Sequence, residues 1–300
     1  MKLEILTRED LKQVTELASR ALEYDHVSID LIEEKCFGDP SYLPQLNWVM
    51  KDEQKVLGFV IGAFRDYYKG KTGWIKMMAV DPDFRRNNIG TELVKTLEVE
   101  LKKLGATEFK VMDVPLNYFM PGLDPRYTEG IVFLQKLGFE KTGEHINMNV
   151  DLEDMDFSTV DEEKKLGEEG IIIKRAAPDE KEAVIKFTDP IWEMWNYEVN
   201  QTFKNEPISL HIAILNGSVV AFSAYNGNNV GLPWFGPMGT HPDMRGKRLG
   251  EILLKRCLQD QKNMGFHYSI IPWVGPIGFY LKAVDAHISR VFWTFKKALI

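Results

Sequence analysis

Apolar and polar positions alternate over residues 2–6, and the period then lengthens, so the chain opens on a strand and passes into a helix. Thr7 with Asp10 resembles a capping box, and the helix it opens runs to about Leu22. Residues 47–50 and 56–64 flank the turn Asp52-Glu53-Gln54 and predict a hairpin, followed by a strand over 74–80. Pro82 ends that strand. Gly90 then opens a helix whose Leu93, Val94, Leu97 and Leu101 recur at helical spacing. Residues 108–112 predict a strand, 131–137 a helix closed by Gly138, and about 145–150 a final strand.

The second half repeats this order. Residues 171–174 predict a strand and 179–187 a helix, and 208–215 with 219–225 form a hairpin across Asn216-Gly217. A strand over 234–240, a helix over 250–263, a strand over 267–273, a short helix over 279–284 and a strand over 291–296 complete it. The repetition extends to single residues. A shift of 160 carries Pro82 to Pro242, Asp83 to Asp243, Arg85 to Arg245, Gly90 to Gly250, Leu93 to Leu253, Lys95 to Lys255 and Gly105 to Gly265, without a gap. Solenoid repeats are far shorter than this, so the period implies duplicated domains. Each half has room for a core of its own, and each reads as an α/β domain with a mixed sheet. The expected boundaries are 1–150 and 170–300. The stretch 151–169 reads as a solvated acidic linker, since residues 151–170 hold nine acidic side chains and few apolar ones.

Composition narrows the partners. A net charge of −7 argues against nucleic acid or an anionic membrane, so an anionic ligand must meet a local basic cluster. Cys36 and Cys257 are too few for a disulfide framework and suit a reducing cytoplasm. The opening MKLEIL has no signal-peptide pattern, and no apolar run is long enough to span a bilayer.

One arrangement carries chemistry. A strand, a proline-marked turn, then basic and small residues opening a helix make an anion site, because the first amides of a helix lack acceptors. Arg85-Arg86-Asn87-Asn88-Ile89-Gly90-Thr91 builds this once and Arg245-Gly246-Lys247-Arg248-Leu249-Gly250 builds it again. Both segments resemble the acetyl-CoA pyrophosphate loop of the GNAT superfamily, whose pattern is Arg/Gln-x-x-Gly-x-Gly/Ala. The resemblance implies two tandem domains of that fold, each a mostly antiparallel mixed sheet flanked by helices. Both loops depart at the pattern's first glycine, replaced by Asn88 and Arg248. Asn tolerates a left-handed backbone, whereas Arg248 is the larger departure. By the same resemblance the backbones of Met78, Ala79 and Val80, and of Met238, Gly239 and Thr240, lie along the pantetheine arm. One such amide would polarise the thioester carbonyl.

The implied reaction is direct attack of an amine on acetyl-CoA, which needs a proton for the departing thiolate. Relatives often take it from a tyrosine on the last short helix, where this chain has Tyr280. A shift of 146 brings Leu134 to that place in the first half. Asp113 and His267 are base candidates by strand-end position, with solvated or packing roles as the plainer alternative. The punctuated stretch 117–127 reads as a substrate-contacting or packing loop. Trp192, Trp195 and Tyr197 read as packing, or else as an aromatic acceptor pocket. No metal is called for, and a monomer or homodimer is expected. Two other readings stay open: an acyl-CoA sensor that does not turn over, and transfer of an aminoacyl or long acyl group.

Overall fold

A computed structural model describes residues 1–67 and 70–299, which form two compact units. The first comprises Met1–His145 with Val291–Ile300, and the second Ile146–Arg290. In chain order the first half contributes β1 (Lys2–Ile5), α1 (Leu11–Ala21), α2 (Ile29–Lys35), β2 (Asn47–Asp52), β3 (Lys55–Tyr67) and β4 (Gly70–Val80). It continues with α3 (Ile89–Lys103), β5 (Glu108–Val111), α4 (Thr128–Lys136) and β6 (Glu140–Asp151). Then come α5 (Val160–Glu168), β7 (Ile171–Arg175), α6 (Lys181–Trp192), α7 (Asn196–Thr202), β8 (Leu210–Leu215) and β9 (Ser218–Tyr225). The chain closes through β10 (Phe235–Thr240), α8 (Leu249–Asn263), β11 (Tyr268–Ile271), α9 (Ile277–Val284) and β12 (His287–Ala298).

Within the first unit the strand order is β1-β2-β3-β4-β5-β12-β6; β4 and β5 pair in parallel, and β1–β2, β2–β3, β3–β4 and β5–β12 pair antiparallel. Residues 291–298 of β12 therefore fill the place between β5 and β6, with Phe295 opposite Val111 and Thr294 bonded to Thr142. Periodicity identifies this strand but not its partners. The core sits where Phe59, Val60 and Ile61 of β3 meet Leu93 and Leu97 of α3 and Val14 and Leu17 of α1, all at most 1% exposed. Burying one such side chain stabilises by roughly 2 kcal/mol. Helix and sheet approach closely at Gly62, where a Cβ would stand 2.5 Å from Leu97.

The second unit has a four-stranded antiparallel sheet, β10-β9-β8-β7, and a separate β11–β6 pair that uses residues 148–151 of β6. The hairpin turn at Asn216 and Gly217 takes φ of 50° and 76°, the left-handed pair that a two-residue turn needs. In the two long helices α3 and α8, Gly105 and Gly265 end each at φ of 80° and 88°. The acidic stretch is more than a solvated connector. It carries α5, whose Leu166 is buried with Ile171, Leu249 and Leu253, while Thr159 and Arg256 both bond Glu163. Its apolar residues are few, and within α5 Leu166 is buried while Val160 is exposed.

Candidate functional site

Both units part a pair of parallel strands. In the first, β4 and β5 pair from Thr72–Glu108 to Ile75–Val111, and the last bond runs from Met112 N–H to Ile75 O at 2.8 Å. Lys76 then bulges out of register against β3, and Met112 turns away at φ 68°. Met78, Ala79 and Val80 continue along β3, and among the described residues no strand pairs with their other edge. In the second unit the chain entering β10 meets β11 in parallel at the Trp234–Ile270 bridge, where Ile270 N–H also donates to the Pro233 carbonyl at 2.7 Å. The register of β10 on β9 also shifts between Phe235 and Met238, so Met238, Gly239 and Thr240 run on with the same free edge. Each notch is bounded by backbone, which is what an extended amide-bearing ligand needs.

Each free edge leads into its basic loop. Asp81, fully buried, accepts from Asp83 N–H at 3.1 Å and from Arg20 at 2.9 Å, and lies 3.3 Å from Lys55. Burial pushes its carboxyl up, but these donors outweigh burial and hold it below the usual range. His241 replaces it in the second loop and accepts from Asp243 N–H through Nδ1 at 3.3 Å. Short turns at Pro82–Phe84 and Pro242–Met244 follow. Arg86 and Gly246 are then left-handed at φ 67° and 87°, as are Asn88 and Arg248 at 66° and 61°. The family's glycine position is thus a left-handed one. Arg248 holds it at a cost of about 1 to 2 kcal/mol.

Helices α3 and α8 start on these residues. Their first internal bonds run from Glu92 N–H to Asn88 O and from Ile252 N–H to Arg248 O. Neither Asn88 nor Arg248 caps its helix with a side chain. The amides of Ile89, Gly90 and Thr91, and of Leu249, Gly250 and Glu251, are therefore open to an anion. The side chains of Ile89 and Leu249 turn into the core, leaving only their backbones to the site. Gly90 and Gly250 let each helix start approach an aromatic ring: a Cβ would lie 3.2 Å from Phe133 in the first and 3.6 Å from Phe279 in the second.

The loops differ in charge. In the first, Arg85 pairs with Glu129 at 2.7 Å and Asn87 bonds the Phe84 carbonyl at 3.2 Å. In the second, Lys247 pairs with Glu169 at 2.5 Å, and Arg248 makes two bonds to Glu251, at 2.9 and 2.7 Å. Glu251 stands where the first loop has Thr91. Bonding to Arg248 pulls its carboxyl down to about 2, so a fixed negative charge borders those amides. Arg86 and Arg245 carry no ion pair among the described residues.

Tyr280 on α9 is 7% exposed and stands edge-on to Phe235, at 6.3 Å between ring centres, where β10 leaves β11. Burial pushes its phenol up, so it stays protonated. Its counterpart on α4 is Leu134, since Phe133 and Phe279, the residues before them, both pack against the matching glycines. Asp113 lies just past β5 at the parting of the strands, accepts from Trp74 Nε1 at 3.1 Å and pairs with Lys110. Burial raises its carboxyl to about 6 against the pull of Lys110. His267 immediately precedes β11, at the end away from Ile271, and is exposed and 2.5 Å from Glu153. The stretch 117–127 packs within the first unit, through the Leu123–Trp293 bridge and the Tyr127 hydroxyl donating to Asp25 at 2.8 Å. Trp192 stacks on Trp195 at 5.3 Å and covers Gly239, where a Cβ would meet the indole at 2.7 Å.

Sequence reasoning missed a buried group of charges on the first unit. Asp39 Oδ2 accepts from Arg65 Nη2 at 2.7 Å and from the bulge residue Lys76, and Asp39 Oδ1 accepts from Ser41 N–H at 2.7 Å. Lys35 bonds Glu34 at 2.7 Å and Asn117 at 2.9 Å. The available signal was a charge interrupting an apolar strand, in Trp-Ile-Lys76-Met-Met and Gly-Ala-Phe-Arg65.

The sequence pattern of the acetyltransferase (GNAT) family matches twice, over residues 11–117 and 175–282. No curated protein matches the chain in sequence. Among solved structures, a GCN5-related glucosamine N-acetyltransferase region of a fungal multi-domain β-N-acetylglucosaminidase superposes on 99% of this chain with a TM-score of 0.80 and 18% identity. This chain spans only 38% of that protein. A GCN5-related N-acetyltransferase from Sphaerobacter thermophilus is 14% identical with a TM-score of 0.70, over 99% of this chain and 95% of its own. A tandem protein of the same fold from the clavulanic acid biosynthesis pathway is 16% identical with a TM-score of 0.70, over 100% and 99%.

Proposed function

The chain belongs to the GNAT acetyltransferase family, and from that premise we propose that it transfers the acetyl group of acetyl-CoA to an amine by direct attack on the thioester. The observation that carries this reading is the twofold parting of parallel strands, each leading to a helix start without a side-chain cap and beside an arginine that makes no ion pair among the described residues. The diphosphate would lie on the amides of residues 86–91 and 246–250, with Arg86 and Arg245 supplying charge-assisted bonds. The pantetheine amides would pair with the free edges at residues 78–80 and 238–240. A backbone N–H on that edge would donate to the thioester oxygen and stabilise the negative charge growing there.

Proton transfer in the second unit falls to Tyr280, which keeps its proton until a thiolate forms beside it. In the first unit Leu134 offers no such proton, and Asp113 at the strand parting is the group placed to take one from an ammonium acceptor. Two buried, unpaired cysteines fit the cytoplasm as the setting.

A second reading, in which the chain binds acyl-CoA without turnover, is favoured by Leu134 and by the charge of Glu251. Thiol release from acetyl-CoA across an amine library separates the two, since a sensor binds the coenzyme and releases none. Tyr280→Phe should cut turnover at least about tenfold while acetyl-CoA affinity holds. Unchanged turnover would remove Tyr280 from the mechanism, and no coenzyme binding would remove the reading itself.

A further inference from the structure

Past Ile75 and Val111 the parallel ladder of the first unit could have gone on pairing, and each bond forgone leaves backbone groups to be satisfied otherwise. The last turn of α2 bonds to both sides of that gap. A helix leaves its final carbonyls without N–H partners, and here two of them are met by side chains. Lys76, the bulge residue of β4, donates through Nζ to the Lys35 carbonyl at 3.0 Å. Asn117, on the chain that has left β5, donates through Nδ2 to the Glu34 carbonyl at 2.6 Å. Lys35 Nζ returns a bond to Asn117 Oδ1 at 2.9 Å. Lys35, Lys76 and Asn117 are each 0% exposed.

Asp39 completes the tie on the β4 side. At Gly38 the chain turns back so closely that a Cβ would lie 2.8 Å from the Glu34 carbonyl. Asp39 then accepts from Lys76, and from Arg65 of β3 at 2.7 Å. Burial pushes the Lys76 ammonium down to about 8, so it is still charged near neutral pH. Buried bonds from a charged donor are stronger than the neutral ladder bonds they replace. The second unit has no such lysine at its own register shift, which falls between Phe235 and Met238 across Gly236-Pro237.

We infer that the last turn of α2 is a wedge, and that Lys76 and Asn117 are positioning residues for acyl transfer in the first unit. Each pins one side of the notch, so the amides of residues 78–80 are held where the thioester oxygen needs a donor. Both act through the strands and not on the reacting atoms. The inference rests on the acetyl-transfer reading and adds to it the device that aligns the site.

The test follows the carbonyl stretch of acetyl-CoA, labelled at its carbonyl carbon and bound to the full-length protein. A backbone donor on the thioester oxygen lowers that frequency. Lys76→Gln and Asn117→Ala loosen the notch from opposite sides, and each should move the lowered band back toward its free position. All of the band should move if only the first notch is filled, and about half if both are. Asn117→Asp keeps an acceptor for Lys35 but not the donor to Glu34, and should fall between. Acetyl-CoA affinity, set by the diphosphate, should stay within about twofold, so kcat falls while KM holds. A purely structural role would lower the urea midpoint and leave the band of the bound ligand in place. A band that neither substitution moves, in variants that still bind the coenzyme, overturns the wedge alone. Absence of any lowered band in the unaltered protein overturns it whether or not the variants fold. Failure of the unaltered protein to bind the coenzyme overturns the transfer reading and the wedge with it.

Discussion

Asp113 shows how a single carboxyl at the strand parting sets a pH response. Its acid is raised to about 6 by burial, against an ordinary value near 3.8. Between those values the folded chain keeps a proton that the unfolded chain has released. Stability from this group is therefore greatest below pH 4 and is lost as pH rises to about 6. The change is on the order of 2 to 3 kcal/mol. Asp113→Asn keeps an acceptor for Trp74 and should flatten the dependence of the urea midpoint on pH across that window; an unaltered slope would show that the corner is wetter than its burial implies. That Asp113 ends a strand is legible from the sequence, because alternation stops there. Its burial is not, since burial depends on Trp74 folding over it from another strand. Arg248 is similar. Its mismatch to the family pattern is visible as a letter, but only the backbone angle shows that the position is left-handed and the residue strained.

At the level of elements, the two helix starts are the same device in different electrostatic surroundings. Thr91 leaves the first set of amides neutral, and Glu251 sets a carboxylate beside the second. Exchanging the two should reverse the preference. Thr91→Glu should weaken acetyl-CoA binding at the first loop by about tenfold, and Glu251→Gln should strengthen it at the second by a similar factor. Calorimetry on each variant reads this directly, and unchanged affinities in both would mean that neither helix start meets the diphosphate. The long helices and strands were legible because their apolar periods run for several turns, as in α3 and α8. Helices α2 and α7 span seven residues each, too short for a period to emerge. Helix α5 was masked by its acidic composition, since Leu166 is its one buried side chain.

For the whole chain, the division into units departs from a simple cut between repeats. Residues 291–298 belong to the first unit, and residues 146–151 to the second. Phe292 and Phe295 of that final segment are fully buried, and losing them would cost at least about 5 kcal/mol, comparable to the stability of a whole domain. A chain ending at Arg290 should lose hydrogen-exchange protection in β5 and residues 140–145, while the β7–β10 sheet keeps its own. Protection retained in β5 would show that the last strand is dispensable.

Residues 291–298 also set a schedule and a constraint on inheritance. The ribosome must emit both repeats before the sheet that holds β1 is finished, so the half made first waits for the half made second. For the same reason the ancestral doubling is hard to reverse. A gene severed at the midpoint would encode two products, each short of strand residues that the other half now carries.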